Sequence, residues 1–164
     1  LLAIMRFGEK ESFSSLGLLR FNLRTLGNIG LQLVVCIVVN FIFLNALNLM
    51  HVSSGPEPMY TKIQQFPTWG RILIAIWAGF SEEFAYRGYA ITRVQELTGS
   101  KTAAILIPII LFGLGHAANG SLVHVVFAML IGFVFIAFYM KTKNLLANIF
   151  AHALLDFIFL VVLS

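Results

Sequence analysis

Glu82, Glu83 and Arg87 lie inside a stretch, residues 71–91, that is otherwise largely apolar. His116 stands at the end of a second apolar run, and His152 and Asp156 stand inside a third. An ionisable side chain in a membrane span costs about 2.5–3.5 kcal/mol on insertion scales, so these groups need partners, and each other's company is the cheapest supply. Two imidazoles and a carboxylate brought together suit the activation of water. A carboxylate in an apolar setting becomes a useful base near neutral pH, and a histidine beside it can hold the same water. A further polar pair can steady the oxyanion of a tetrahedral intermediate. The reaction class is amide hydrolysis without a covalent intermediate. Ser81 reads as a helix-packing residue, and Cys36 has no histidine near it in sequence. Zinc also takes histidine and carboxylate ligands, which keeps a bound metal as an alternative, but no His-Glu-x-x-His helix is present. The expectation is therefore no cofactor, with zinc as the lesser reading.

Spacing refines these roles. His152 and Asp156 are four residues apart and share a helix face. Glu83 and Arg87 have the same spacing and can pair, which leaves Glu82 as the freer carboxylate. Glu82 and Glu83 point about 100° apart on a helix, so one role for both is not expected. At 1.5 Å per residue, Glu82, His152, Asp156 and His116 fall about 13, 12, 18 and 21 Å from the inner ends of their spans. That places one polar site in the inner and middle parts of a bilayer.

The elements that must position these residues follow from composition. The chain has 164 residues, 59% hydrophobic and 11% charged, with a mean hydropathy of +0.91. Soluble domains carry about 25% charged residues, so the class is an all-α, polytopic transmembrane helix bundle forming a single membrane domain over 1–164. Five spans are expected, at 27–50, 70–91, 102–118, 121–140 and 144–164, each near the length that crosses a bilayer. Leu16, Leu19, Leu23 and Leu26 share one face of a helix over 15–26, which suits an interfacial segment as well as an ordinary surface helix. Residues 51–69, with three prolines and Gly55, read as a loop. His51 reads as interfacial. His124, near the outer end of its span, reads as a satisfied hydrogen-bonder apart from the site. The net charge of +4 sits in short loops, where it sets orientation and implies no nucleic-acid partner. With the N-terminal segment in the cytoplasm, eight bases collect inside (Arg6, Lys10, Arg20, Arg24, Arg93, Lys101, Lys141, Lys143) against Lys62 and Arg71 outside.

Glu82-Glu83-x-x-x-Arg87, Phe112-x-x-x-His116 and His152-x-x-x-Asp156, in that order on three separate apolar runs over 71–164, resemble the three motifs of the CPBP (CAAX prenyl endopeptidase and bacteriocin-processing, or Abi) family. The resemblance implies an intramembrane endopeptidase of the glutamate type in a bacterial cytoplasmic membrane, acting on a membrane-associated peptide or protein. It implies Glu82 as general base, His116 as a holder of the attacking water, and His152 and Asp156 on the oxyanion side. It leaves Glu83, Arg87 and Phe112 in supporting positions. Asp156 stands where the prenyl-protein endopeptidases of the family carry asparagine. An ionised aspartate cannot donate to an oxyanion, so Asp156 is either protonated or orients His152. The alternative within the same fold is a non-catalytic bacteriocin-immunity or helix-binding protein. A proton or ion pathway is a third use of buried acids and histidines.

Overall fold

The computed structural model describes residues 17–18, 21–53, 58–119 and 121–163, and these form an all-α bundle. Helix α1 spans Leu23–Leu49. It starts four residues before the expected 27 because Asn22 caps it: the Asn22 side chain accepts from the Thr25 backbone N–H, and Thr25 Oγ1 accepts from the Asn22 N–H. Part of the expected interfacial helix, residues 15–16 and 19–20, lies outside the described residues. Its described part is not a separate helix, since Phe21 and Asn22 are non-helical and 23–26 are the first turn of α1.

The stretch read as a loop contains a short helix, α2, Pro58–Gln64. Proline is well placed there, since a first-turn residue has no intrahelical use for its N–H. Next comes the long helical run that carries the acidic pair. Helix α3, Thr68–Glu82, passes directly into a π-helical segment, Glu83–Ala90, and then into α4, Ile91–Thr98, which ends at Gly99 with φ 67°. Helix α5 covers Lys101–Gly115 under a Ser100 cap and leads into a 3₁₀ turn, His116–Asn119. Helix α6, Leu122–Thr142, starts under Ser121 and ends at Lys143 in the left-handed region. Helix α7, Leu145–Phe157, starts under Asn144 and continues as a π segment, Ile158–Val162.

Four helical stretches among the described residues are long and apolar enough to cross a membrane: Leu23–Leu49, Lys101–Ala118, Leu122–Thr142 and Leu145–Val162. The fifth expected span, 70–91, belongs to a helical run that is long enough, 68–98. Arg71, Glu82, Glu83 and Arg87 make it too charged to qualify by composition. It can lie in the bundle because Glu83 and Arg87 turn inward, each 0% exposed. Around the bundle, Leu31, Phe41, Trp77, Phe133 and other large apolar side chains stay exposed, as a lipid-facing surface requires.

Helices α3 and α7 approach so closely that a Cβ on Gly79 would lie 2.6 Å from the Ala153 backbone nitrogen. At one end of the bundle Asn144 caps α7 and also donates to Thr25 Oγ1 at 3.1 Å, tying the start of α1 to the α6–α7 turn. Gly17, at φ +79°, accepts there from the Leu145 N–H at 2.9 Å, and a Cβ at Gly17 would sit 2.3 Å from the Lys143 carbonyl oxygen. At the other end, Arg71 Nη1 donates to the Leu160 carbonyl and Tyr60 Oη donates to the Phe159 carbonyl, both at 2.9 Å. These carbonyls lie in the π segment after α7, so side chains from α2 and α3 hold that irregular end.

Candidate active site

Neighbours on a helix point about 100° apart, and the two adjacent carboxylates accordingly take different surroundings. π segments inside α-helices recur at functional sites; in this one Glu83 and Arg87 lie in the core, while Glu82, just before it, faces a cavity. Glu83 Oε1 accepts from Arg87 Nη1 and from His152 Nδ1, both at 2.8 Å, and Glu83 Oε2 accepts from Asn148 Nδ2 at 3.1 Å. Arg87 Nη2 donates to the Gly132 carbonyl at 3.0 Å, and its guanidinium lies 4.4 Å from the Phe112 ring centroid. Asn148 Nδ2 also reaches the Phe135 carbonyl at 2.8 Å. The Glu83 carboxylate thus joins the π segment to α7, and through Arg87 and Asn148 to α6. Buried charges persist when paired and hydrogen-bonded in this way.

Beside this network lies a cavity of about 640 Å³, lined by Glu82, Tyr86, Phe112, His116, His124, His152 and Asp156 among other residues. His152 Nε2 stands 3.8 Å from Glu82 Oε2 and 3.8 Å from Asp156 Oδ2. Its other nitrogen is held by Glu83, and its ring stacks on Phe135 with centroids 5.0 Å apart. The imidazole is therefore fixed in orientation from behind, with Nε2 turned to two carboxylates. Glu82 Oε2 is buried and has no hydrogen-bond partner among the described residues. His116 Nδ1 donates to the Phe112 carbonyl at 2.8 Å, so in the neutral ring Nε2 is left as an acceptor. The Phe112 ring packs between Arg87, 4.4 Å from its centroid, and His116, 4.7 Å centroid to centroid.

All seven residues singled out in the sequence thus meet in one region, four of them around the cavity together with Phe112, and the Glu83–Arg87 pair behind it. The depth differs from the expectation. The helical run continues past the expected end at 91 to Thr98, which leaves Glu82 further from that end, and the cavity is lined in part by Met59, Tyr60 and Ile63 of α2. The site thus sits from mid-bundle toward the α2 end. His124 is not set apart: its ring centroid is 5.6 Å from that of His116, and it lines the cavity. Both flank the α5–α6 turn, so their depths match once α5 is followed to its end. Asn148 was missed, although Asn148, His152 and Asp156 repeat at four-residue spacing along one face of α7. Among the described residues, no three His, Cys, Asp or Glu side chains converge as a metal site.

The model of the family described as Type II CAAX prenyl endopeptidase Rce1-like matches residues 64–158. The chain belongs to that family. The matched region runs from the end of α2 to just past α7, and so contains all three motifs and every residue of the buried network. At the level of the family this is a CAAX-protease-like membrane endopeptidase, and the four apolar helices make it an integral membrane protein. No curated protein and no solved structure matches it.

Proposed function

We propose that the chain is an intramembrane endopeptidase in which Glu82 and His116 activate a water molecule for attack on a peptide carbonyl. The observation that carries this reading is the contrast between two neighbouring carboxylates. Glu83 is saturated by Arg87, His152 and Asn148, whereas Glu82 Oε2 is buried beside the cavity with no donor among the described residues. A buried acceptor left unmatched costs about 1–3 kcal/mol, a cost that a catalytic base recovers by holding its reactant.

In the proposed step one water proton points to Glu82 and the other to the Nε2 acceptor of His116. The water oxygen bonds to the carbonyl carbon, its proton passes to Glu82, and the carbonyl π electrons move to oxygen. His152 and Asp156 stand on the oxyanion side. Collapse breaks the C–N bond, and the leaving amine takes the proton back from Glu82. Glu83 acts behind His152 as a positioning residue, in the manner of a carboxylate–histidine pair. The substrate is a membrane-associated peptide or protein, and no metal takes part. The orientation follows the bases: Arg24, Arg93, Lys101, Lys141 and Lys143 gather at the end of the bundle that holds the α6–α7 turn, which is assigned to the cytoplasm.

The test is cleavage of a panel of membrane-embedded and CAAX-like prenylated peptides by the purified protein in liposomes. Wild type should cleave at least one, and Glu82→Gln should lose about 10²–10⁴-fold in rate while folding normally. A chelator should leave the rate unchanged. Full activity of Glu82→Gln, or loss of activity with chelator restored by zinc, would overturn the mechanism.

A further inference from the structure

The oxygen of a tetrahedral intermediate needs a hydrogen-bond donor, and the residues of the three sequence motifs have little to give. Glu82 and Asp156 accept only, when ionised. The Nδ1–H of His116 is committed to the Phe112 carbonyl and the Nδ1–H of His152 to Glu83. His152 Nε2 offers at most one N–H, for which two carboxylates compete at 3.8 Å each. Arg87 is sealed behind Phe112 and engaged by Glu83 and Gly132.

Tyr86 differs from all of these. It lies one turn beyond Glu82 and lines the same cavity. Its ring stands edge-on to Phe112, with centroids 5.2 Å apart and planes at 88°. Its hydroxyl oxygen lies 3.3 Å from the place that a Cβ on Gly115 would occupy. The phenol therefore reaches from the π segment to the end of α5, next to His116, where the glycine leaves it room. A neutral phenol donates its O–H without prior protonation, since its ordinary pKa is about 10.

We infer that the Tyr86 hydroxyl is a catalytic oxyanion donor of this enzyme. The inference rests on the hydrolytic reading of the site. In the addition step the water oxygen bonds to the carbonyl carbon, Glu82 takes the proton, and the displaced π pair resides on the oxygen, to which Tyr86 O–H donates in addition to the contested N–H of His152. In the collapse step that pair re-forms the carbonyl, the C–N bond breaks, and the amine leaves with the proton from Glu82. Tyr86 keeps its own proton throughout. Its contribution is greatest when the oxygen is negative, so it acts on the transition state more than on bound substrate.

The test is Tyr86→Phe, assayed with the fastest-cleaved peptide of the panel and with the phosphinate analogue of that peptide as inhibitor. The expected result is a fall in kcat of about 10²-fold, the scale of losing one oxyanion donor. KM should stay within about twofold, and phosphinate affinity should weaken in parallel with kcat. A kcat within about threefold of wild type, or a loss confined to KM, would overturn the assignment. Glu82→Gln measured alongside separates the two failures. If it abolishes cleavage while Tyr86→Phe keeps kcat, the hydrolytic reading stands and the Tyr86 role falls. If both variants cleave normally, both fall.

Discussion

The buried network around Glu83 makes a quantitative prediction that its geometry fixes in sign. Glu83→Gln keeps the side-chain volume but removes the charge that faces Arg87, and its amide N–H₂ meets the Asn148 Nδ2 donor, which now sits 3.1 Å from an acceptor. Arg87 would then keep only neutral acceptors, the new amide oxygen and the Gly132 carbonyl at 3.0 Å. Breaking a buried pair from one side costs about 3–5 kcal/mol, because a charge is left uncompensated. Arg87→Met is the milder change, since Glu83 still accepts from His152 and Asn148, and the thioether fills part of the space beside Phe112. The double variant buries no unpaired charge from this pair, so the two losses should not add. A coupling of about 2–3 kcal/mol, at the upper end for residues in contact, is expected. The assay is a double-mutant cycle on the purified protein in detergent, with unfolding followed by the loss of helical signal in a denaturing detergent. Additive losses, with coupling below about 0.5 kcal/mol, would refute the network. So would a greater loss from Arg87→Met than from Glu83→Gln.

Other substitutions probe the supports of the site. Gly132→Ala would place a methyl 3.0 Å from Phe112 Cδ1 and 3.3 Å from Arg87 Nη2, and should cost about 1–3 kcal/mol by overpacking in the same unfolding assay. Gly79→Ala should be worse, because its Cβ would meet the α7 backbone at 2.6 Å, where no side chain can give way; failure to purify as a folded monodisperse protein is the expected readout. Asn144→Ala removes both the α7 cap to Ala147 and the bond to Thr25, and should lower stability by about 1–2 kcal/mol without touching the cavity.

What the sequence disclosed, and what it withheld, follows from the reach of local rules. Long apolar runs disclose helices because span length and hydropathy are local properties, and four of the five expected spans are matched by such helices. The Glu83–Arg87 pair was legible because four-residue spacing brings side chains together whatever the rest of the bundle does. Element ends were less legible. Asn22 and Thr25 moved the start of α1 back into a segment whose leucine pattern suited a separate helix, and Pro58 opened a helix in a stretch that proline content marked as a loop. The neighbourhood of His124 depends on how α5 and α6 meet, which no spacing within one helix reveals. The π segment is the clearest case. It lies in a stretch whose polar side chains bond to α6 and α7, contacts that no spacing within one helix reveals.

An adjacent acidic pair is useful because neighbouring residues on a helix point about 100° apart, so the two carboxylates meet different partners. Here the inward one is fully engaged, and its partners come from α7 and from the π segment itself. The same bond that satisfies Glu83 fixes the ring of His152, and so sets the nitrogen that faces Glu82 and Asp156 at 3.8 Å from each. The bonds of Glu83 thus fix His152 beside Glu82, whose Oε2 has no hydrogen-bond partner among the described residues. On the proposed mechanism the two glutamates are unequal by design of the fold: loss of Glu82 should remove rate and leave the bundle intact, whereas loss of Glu83 should weaken the bundle and misplace His152. A Glu82→Gln variant less stable than Glu83→Gln would contradict that division.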